Sequence, residues 1–257
     1  VSVTLARTIQ RGVSTGDPLP DVYQSLARAQ VRFRRSNLHM IAGAPGSMKT
    51  MFALDLVKRT DVPTLYFSND SDEATVASRL LASRIGQPTN LVADWLTDSP
   101  EFAADYLREM EMVRWSFNPS PTLEDIQLEV EAFAEIYGEY PHLIVIDVLV
   151  NVSYYADTDH GSVGEILKYL HGMARETRAA VIVVHHCTEA VGGHPCPPRS
   201  AIMQKRNELP VLILSVAVQG EIFHVAPLKN RWGPQDPSGK TAIGMHVDPA
   251  TCTFREF

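Results

Sequence analysis

The sequence predicts an α/β fold, a mostly parallel central sheet with helices on both faces and a β-rich C-terminal edge. Three observations predict it. Short apolar runs alternate with stretches of helical period along most of the chain. Two of those runs, "HLIVID" and "AVIVVHH", are apolar almost throughout, as strands covered on both faces must be. The last third changes character: "PVLILSVAV" and "EIFHVAPLK" are separated only by Gln219-Gly220, which reads as a hairpin.

The elements follow in order. Residues 1–32 form a lead or linker with one short helix, about Asp21 to Gln30, and residues 33–257 form one α/β domain. The basic run Arg32, Arg34, Arg35 precedes a strand from Asn37 to Ala42, and the loop 43–50 opens a helix running to about Arg59. A strand Thr64–Ser68 ends in "NDSDE", whose acids suit the positive end of a helix from Asp72 to Ile85. Residues 90–112 read as one or two helices broken at "DSPE", followed by the strand "VRWSFN". Thr122 caps a long helix that places Ile126, Val130, Phe133 and Tyr137 on one face. A helix from about Ser162 to Arg178 joins the two apolar strands, and two short strands near 241–247 and 251–256 close the chain.

Composition bounds the function. A chain of 257 residues with 45% hydrophobic and 21% charged residues can bury a core without disulfides. No apolar run approaches the length of a membrane span, and the first ten residues show no basic-then-apolar export pattern. Three cysteines are a sparse, odd set that suits a reducing compartment, so a cytoplasmic setting is expected. The net charge of −7 disfavours a protein that coats itself in nucleic acid through bulk charge, though not a local basic surface.

The segment "IAGAPGSMKT" carries the first chemistry. Between a strand and a helix, Gly43, Ala44, Pro45, Gly46, Ser47, Met48, Lys49 and Thr50 nearly complete the phosphate-loop pattern G-x-x-x-x-G-K-[ST]. Backbone N–H groups of such a loop cradle phosphates at the helix's positive end. Lys49 would neutralise the outer phosphates, and the Thr50 hydroxyl would bind Mg2+. Met48 stands where the last glycine belongs, so it must accept a backbone angle glycine takes more readily, at about 1–2 kcal/mol. The second half of such a site is an apolar strand ending in aspartate, and "LIVID" supplies Asp147 to hold Mg2+ through water.

Further segments resemble one family, the RecA-fold ATPase domain of DnaB-type hexameric helicases, over roughly residues 33 to 247. "TLYFSNDSDEATVASRLLASRIG" is similar to that family's second strand and acidic turn, where a glutamate activates water; the matching residue here is Asp70. "AVIVVHH" resembles the strand ending in a γ-phosphate sensor, which makes His186 the candidate and His185 the alternative. "APLKNRWGP" resembles the K-x-R-x-G-P segment that reaches a neighbouring subunit's nucleotide, with Lys229 and Arg231 in those parts. An arginine finger supplied in trans stabilises charge on the transferring phosphoryl group.

Departures from the family pattern are Met48 for glycine, Asp70 for glutamate, and "SYYADTDH" after Asp147. The resemblance implies ATP with Mg2+, a homo-oligomer, a hexamer by analogy, with sites shared between subunits, and movement on single-stranded DNA during replication. Two alternatives stay open: a recombination or regulatory ATPase that does not unwind, and a nucleotide-gated assembly module that does not hydrolyse.

Channel loops of ring helicases follow the strand. The segment 188–207 offers Arg199, Lys205 and Arg206 to nucleic-acid phosphates. The segment 151–163 offers Tyr154 and Tyr155 for stacking, beside repelling Asp157 and Asp159. His185, His186, Cys187, His194 and Cys196 match no closed zinc spacing, and strand alternation sets His185 and Cys187 opposite His186.

Overall fold

The computed structural model describes residues 16–153, 159–188, 193–203 and 208–257. Lys205 and Arg206, with Tyr154, Tyr155 and Asp157, lie outside the described residues. The strands are β1 (Asn37–Gly43), β2 (Thr64–Ser68), β3 (Val113–Ser116), β4 (Leu143–Asp147), β5 (Ala180–His186), β6 (Leu212–Gln219), β7 (Ile222–Asn230), β8 (Ile243–Asp248) and β9 (Thr253–Arg255). The helices are α1 (Gln24–Arg28), α2 (Lys49–Thr60), α3 (Glu73–Ile85), α4 (Thr89–Asp98), α5 (Pro100–Leu107), α6 (Leu123–Tyr137) and α7 (Asp159–Thr177).

One sheet takes the order β3-β2-β4-β5-β1-β6-β7-β8-β9. Its pairings are parallel from β3 through β6, then antiparallel to β9. β1 therefore lies between β5 and β6, covered on both faces, and all seven of its residues are buried. Leu38, Met40 and Ala42 face α6 and α7, whereas Ile41 faces α2 and the aromatic group Phe52, Phe223 and Phe254. This is the period-two alternation of a strand with helices on both sides.

Local chemistry sets the boundaries. Asp72 caps α3 by accepting from the Thr75 amide at 2.7 Å. Thr122 and Asp125 form a reciprocal capping box at α6. Ser99 separates α4 from α5, with Pro100 at the first position of the second helix.

Several expectations shift. α7 begins at Asp159, inside the segment 151–163 expected as a loop, and β3 stops at Ser116, two residues short of the expected strand end. The first helix is only Gln24–Arg28, because Asp21 is held by Arg32 at 2.9 Å and Tyr23 is extended. Tyr137 is 37% exposed rather than in the core. It ends α6, against the Phe133 ring and with the Arg114 guanidinium 5.0 Å from its own. From residue 16 onward the chain packs on the sheet domain: Leu19, Tyr23, Leu26 and Val31 join the core cluster of α2. Among the described residues no helix is long and apolar enough to cross a membrane.

Candidate nucleotide-binding site

In a parallel sheet ligands bind beyond the carboxyl ends of the strands. Here the register brings those ends level. Gly43 of β1 lies beside His186 of β5 and Val216 of β6, and Ser68 of β2 lies beside Asp147 of β4. The phosphate-loop residues, Asp70, Asp147 and His186 therefore share one edge of the sheet.

The loop is shaped by three residues. A Cβ on Gly43 would sit 2.2 Å from Ser47 Oγ and 3.0 Å from the Val216 carbonyl, so only glycine fits where the strand ends. Gly46 has φ +74°, a left-handed turn that glycine takes without strain. Met48 is also left-handed, φ +60° and ψ +23°, and it keeps the turn that a glycine would make. Its side chain is half-buried and packs on the core cluster of α2, so packing offsets backbone strain.

Helix α2 has no side-chain cap and no acid in its first turn, in contrast to α3 and α6. Its first N–H groups are thus left for an anion. Lys49 is buried at the same place, and its Nζ donates to the Ala44 carbonyl at 3.4 Å, a long bond. Burial lowers its pKa, opposed by Asp147, Asp70 and Cys187. Ser47 Oγ is buried without a hydrogen-bond partner among the described residues.

Asp147 is 2% exposed and held by both oxygens. Thr50 Oγ1 donates to Oδ1 at 3.2 Å, and the Tyr66 hydroxyl donates to Oδ2 at 2.7 Å. Burial raises its pKa to about 6, while Tyr66, Thr50 and Lys49 pull it down. The Asn69 amide donates to the Asp147 carbonyl at 2.6 Å and ties the β2 turn to this strand end. Asp70, one residue on, is exposed, and its charge is felt by Lys49, His186 and Asp147.

The two histidines divide as strand alternation requires. His185 is 1% exposed, and its Nε2 donates to the Met203 carbonyl at 3.0 Å. His186 is half-buried on the other face, where burial and then Lys49 lower its pKa. It is the histidine beside the loop.

Lys229 and Arg231 are elsewhere. Lys229 pairs with Ile213 and so lies level with Met40, in the middle of β1. The Arg231 amide donates to the Val211 carbonyl at 3.0 Å, and the Val211 amide donates to the Leu38 carbonyl, near the start of β1. Arg231 thus stands about 15 Å back along the strand direction from Gly43 and two strands, about 10 Å, across. Lys229 Nζ donates to the Glu208 carbonyl at 2.6 Å. Arg199, at the start of a short turn, lies within electrostatic reach of Lys229.

Sequence reading missed Tyr66. A tyrosine inside "TLYFS" carries a hydroxyl that needs a partner when buried, and that is the one available signal. The residues fit a nucleotide with a divalent cation: a buried lysine, uncapped helix amides and an orphan hydroxyl gathered at one strand end are the donors a phosphate takes. The paired Thr50 and Asp147 oxygens are the hard donors Mg2+ takes.

Comparison with known proteins identifies the family and the fold. Residues 30–190 match the AAA domain family. The chain is 32% identical over 257 residues to the Gene 65 protein of Mycobacterium phage L5, covering 95% of each. It is 31% identical to the Gene 65 protein of Mycobacterium phage D29, over 85% of this chain and 98% of that one. It is also 26% identical over 179 residues to the Replicative DNA helicase DnaB of Nostoc sp., of which the match spans 19%. Among solved structures, one described as an ATPase domain superposes with TM-score 0.81 at 16% identity, covering 98% of this chain and 96% of that one. A DnaB-like replicative helicase solved with its primase interactions gives 0.79 at 16% identity, covering 98% and 66%. The chain belongs to the AAA domain family and has the RecA-like ATPase fold of the DnaB-type helicases.

Proposed function

We propose that the chain is an ATP-driven translocase that works as a ring on single-stranded DNA, in the manner of a replicative helicase. The observation that supports this most is the division of the predicted residues between two regions of the sheet. Gly43–Thr50, Asp70, Asp147 and His186 form one group. Lys229 and Arg231 stand about 10–15 Å back along the strands and two strands across, too far to serve their own nucleotide. A head-to-tail ring joins two different patches of the same chain, and such a ring brings the second group to the neighbour's first.

In this reading the loop amides and Lys49 bind the triphosphate. Thr50 and Asp147 would hold Mg2+, which screens charge between the β- and γ-phosphates when bound. Tyr66 keeps the Asp147 carboxylate turned toward Thr50. Asp70 accepts a proton from, or orients, the attacking water; its carboxylate is one methylene shorter than glutamate, so the water stands nearer the strand end. His186 contacts the γ-phosphate as a neutral ring. Lys229 and Arg231 stabilise the charge that builds on the neighbour's phosphoryl group. Arg199, Lys205 and Arg206 belong to the stretch that meets DNA phosphates.

The test is unwinding of a forked duplex with ATP, alongside the mass of the assembly on single-stranded DNA. A closed ring that unwinds is the expected result. An open filament without unwinding would favour a recombination-type ATPase and would overturn the helicase reading.

A further inference from the structure

The edge of the sheet opposite the phosphate loop holds a depression of about 520 Å³. His171 and Arg175 of α7, Asn37 of β1, Glu208, and Arg231 with Trp232 line it. Arg175 is exposed on the last turns of its helix, and the Arg231 guanidinium lies 6.0 Å from the Trp232 ring. Among the described residues neither guanidinium has a carboxylate or a hydrogen-bond partner. Burial, then the charges of Arg175 and Arg231, keep the His171 ring below its usual pKa. The charges of Arg231 and Arg199 are also felt by Lys229, against the single acid Glu208. In a chain of net charge −7, this is a local excess of positive charge.

Like charges gathered this closely repel, and an anion placed among them offsets that cost. Exposed guanidiniums offer forked donors matched to phosphate oxygens. The depression lies at the start of β1 and the phosphate loop at its end, so one nucleotide cannot touch both in the same chain.

We propose that this depression is the trans half of a nucleotide site, and that Arg175 is a second guanidinium, beside Arg231, on the neighbouring copy's triphosphate. The proposal rests on the shared-site reading above and adds to it a residue from a different element, α7. His171 lines the same wall as the two arginines, and Trp232 lies beside the Arg231 side chain.

Co-expression of paired variants tests it. Arg175→Ala alone is expected to lower kcat about 100-fold, with binding of a fluorescent ATP analogue weakened far less, because Lys49 and the loop amides still hold the nucleotide. Arg175→Lys is expected to recover part of the loss. Lys49→Ala is inactive for the opposite reason. When Lys49→Ala and Arg175→Ala are co-expressed, about a quarter of the interfaces combine a sound loop with a sound arginine face, and hydrolysis returns. Lys49→Ala with Arg231→Ala is the reference pair.

Return of activity in both pairs supports the proposal. Return in the Arg231 pair alone overturns it while leaving the shared site standing. Return in neither overturns the shared-site reading itself. Binding of single-stranded DNA with a non-hydrolysable ATP analogue separates the sources of phosphate. Arg175→Ala is expected to leave it unchanged, and a loss there without complementation would assign the depression to nucleic acid instead. Equal melting temperatures for wild type and Arg175→Ala are expected from the residue's exposure.

Discussion

Replacing Met48 separates backbone strain from packing at the one position where the loop departs from its pattern. The residue sits at φ +60° and ψ +23°, where a side chain costs about 1–2 kcal/mol. Glycine escapes that cost but loses about 0.5–1 kcal/mol to the freedom it gains when unfolded. Met48→Gly should therefore be more stable than Met48→Ala by about 0.5–1 kcal/mol. Both variants lose the half-buried thioether that packs on the α2 cluster, worth about 1 kcal/mol by the usual burial scale. The wild type and Met48→Gly should then be nearly equal, with Met48→Ala below both.

Urea unfolding resolves differences of this size, and calorimetry should show Met48→Ala melting about 2 °C below Met48→Gly. Nucleotide affinity should be alike in all three, since the turn is preserved. Met48→Ala matching Met48→Gly in stability would refute the claim that this position is strained.

Other predictions follow from buried groups. Tyr66→Phe removes the hydroxyl that donates to Asp147 Oδ2 at 2.7 Å; it should cost about 1–2 kcal/mol in urea. It should also raise the Mg2+ concentration needed for fluorescent ATP binding, and an unchanged Mg2+ titration would contradict the role given to Tyr66. His39 is fully buried, with Nε2 2.8 Å from the Arg34 carbonyl, and burial lowers its pKa to about 4. Above the ordinary value near 6.5 both folded and unfolded rings are neutral. As pH falls toward 4 only the unfolded ring takes a proton, so about 3 kcal/mol of stability is lost. The stability advantage over His39→Gln should shrink across that window, and a gap independent of pH would contradict this. Asp55 is buried against Lys58 at 2.8 Å and Arg59 at 2.5 Å, with the Tyr23 hydroxyl donating to it. Asp55→Ala should lower stability by about 3 kcal/mol, and a loss under about 1 kcal/mol would show that the lead segment does not depend on this anchor.

The legible parts of this protein are those where one segment satisfies its own physics. "HLIVID" and "AVIVVHH" can be strands only if covered on both faces, and their polar last residues must then fall at the ligand edge. The capping box at Thr122 and the cap at Asp72 are local in the same way. The fate of Tyr137 was not legible, because helical period marks a face but not where the sheet beneath it ends. Nor was Asp21, whose carboxylate is taken by Arg32 eleven residues on. Tyr66 and Arg175 acquire meaning only through the tertiary arrangement. Tyr66 does so because β2 runs level with β4, so that Ser68 lies beside Asp147. Arg175 does so because the end of α7 meets Arg231, just past β7, at one depression. Long-range pairing of this kind leaves no periodic trace in a single sequence.

In the proposed function the loop containing Met48 turns over ATP, and DNA controls the turnover. Steady-state hydrolysis by the wild type, with and without single-stranded DNA and beside Asp70→Asn, tests it most directly. Strong stimulation by DNA, lost in Asp70→Asn, is the expected result. Tight ATP binding with no turnover under either condition would contradict it, and would mark the site as one that gates assembly by binding alone.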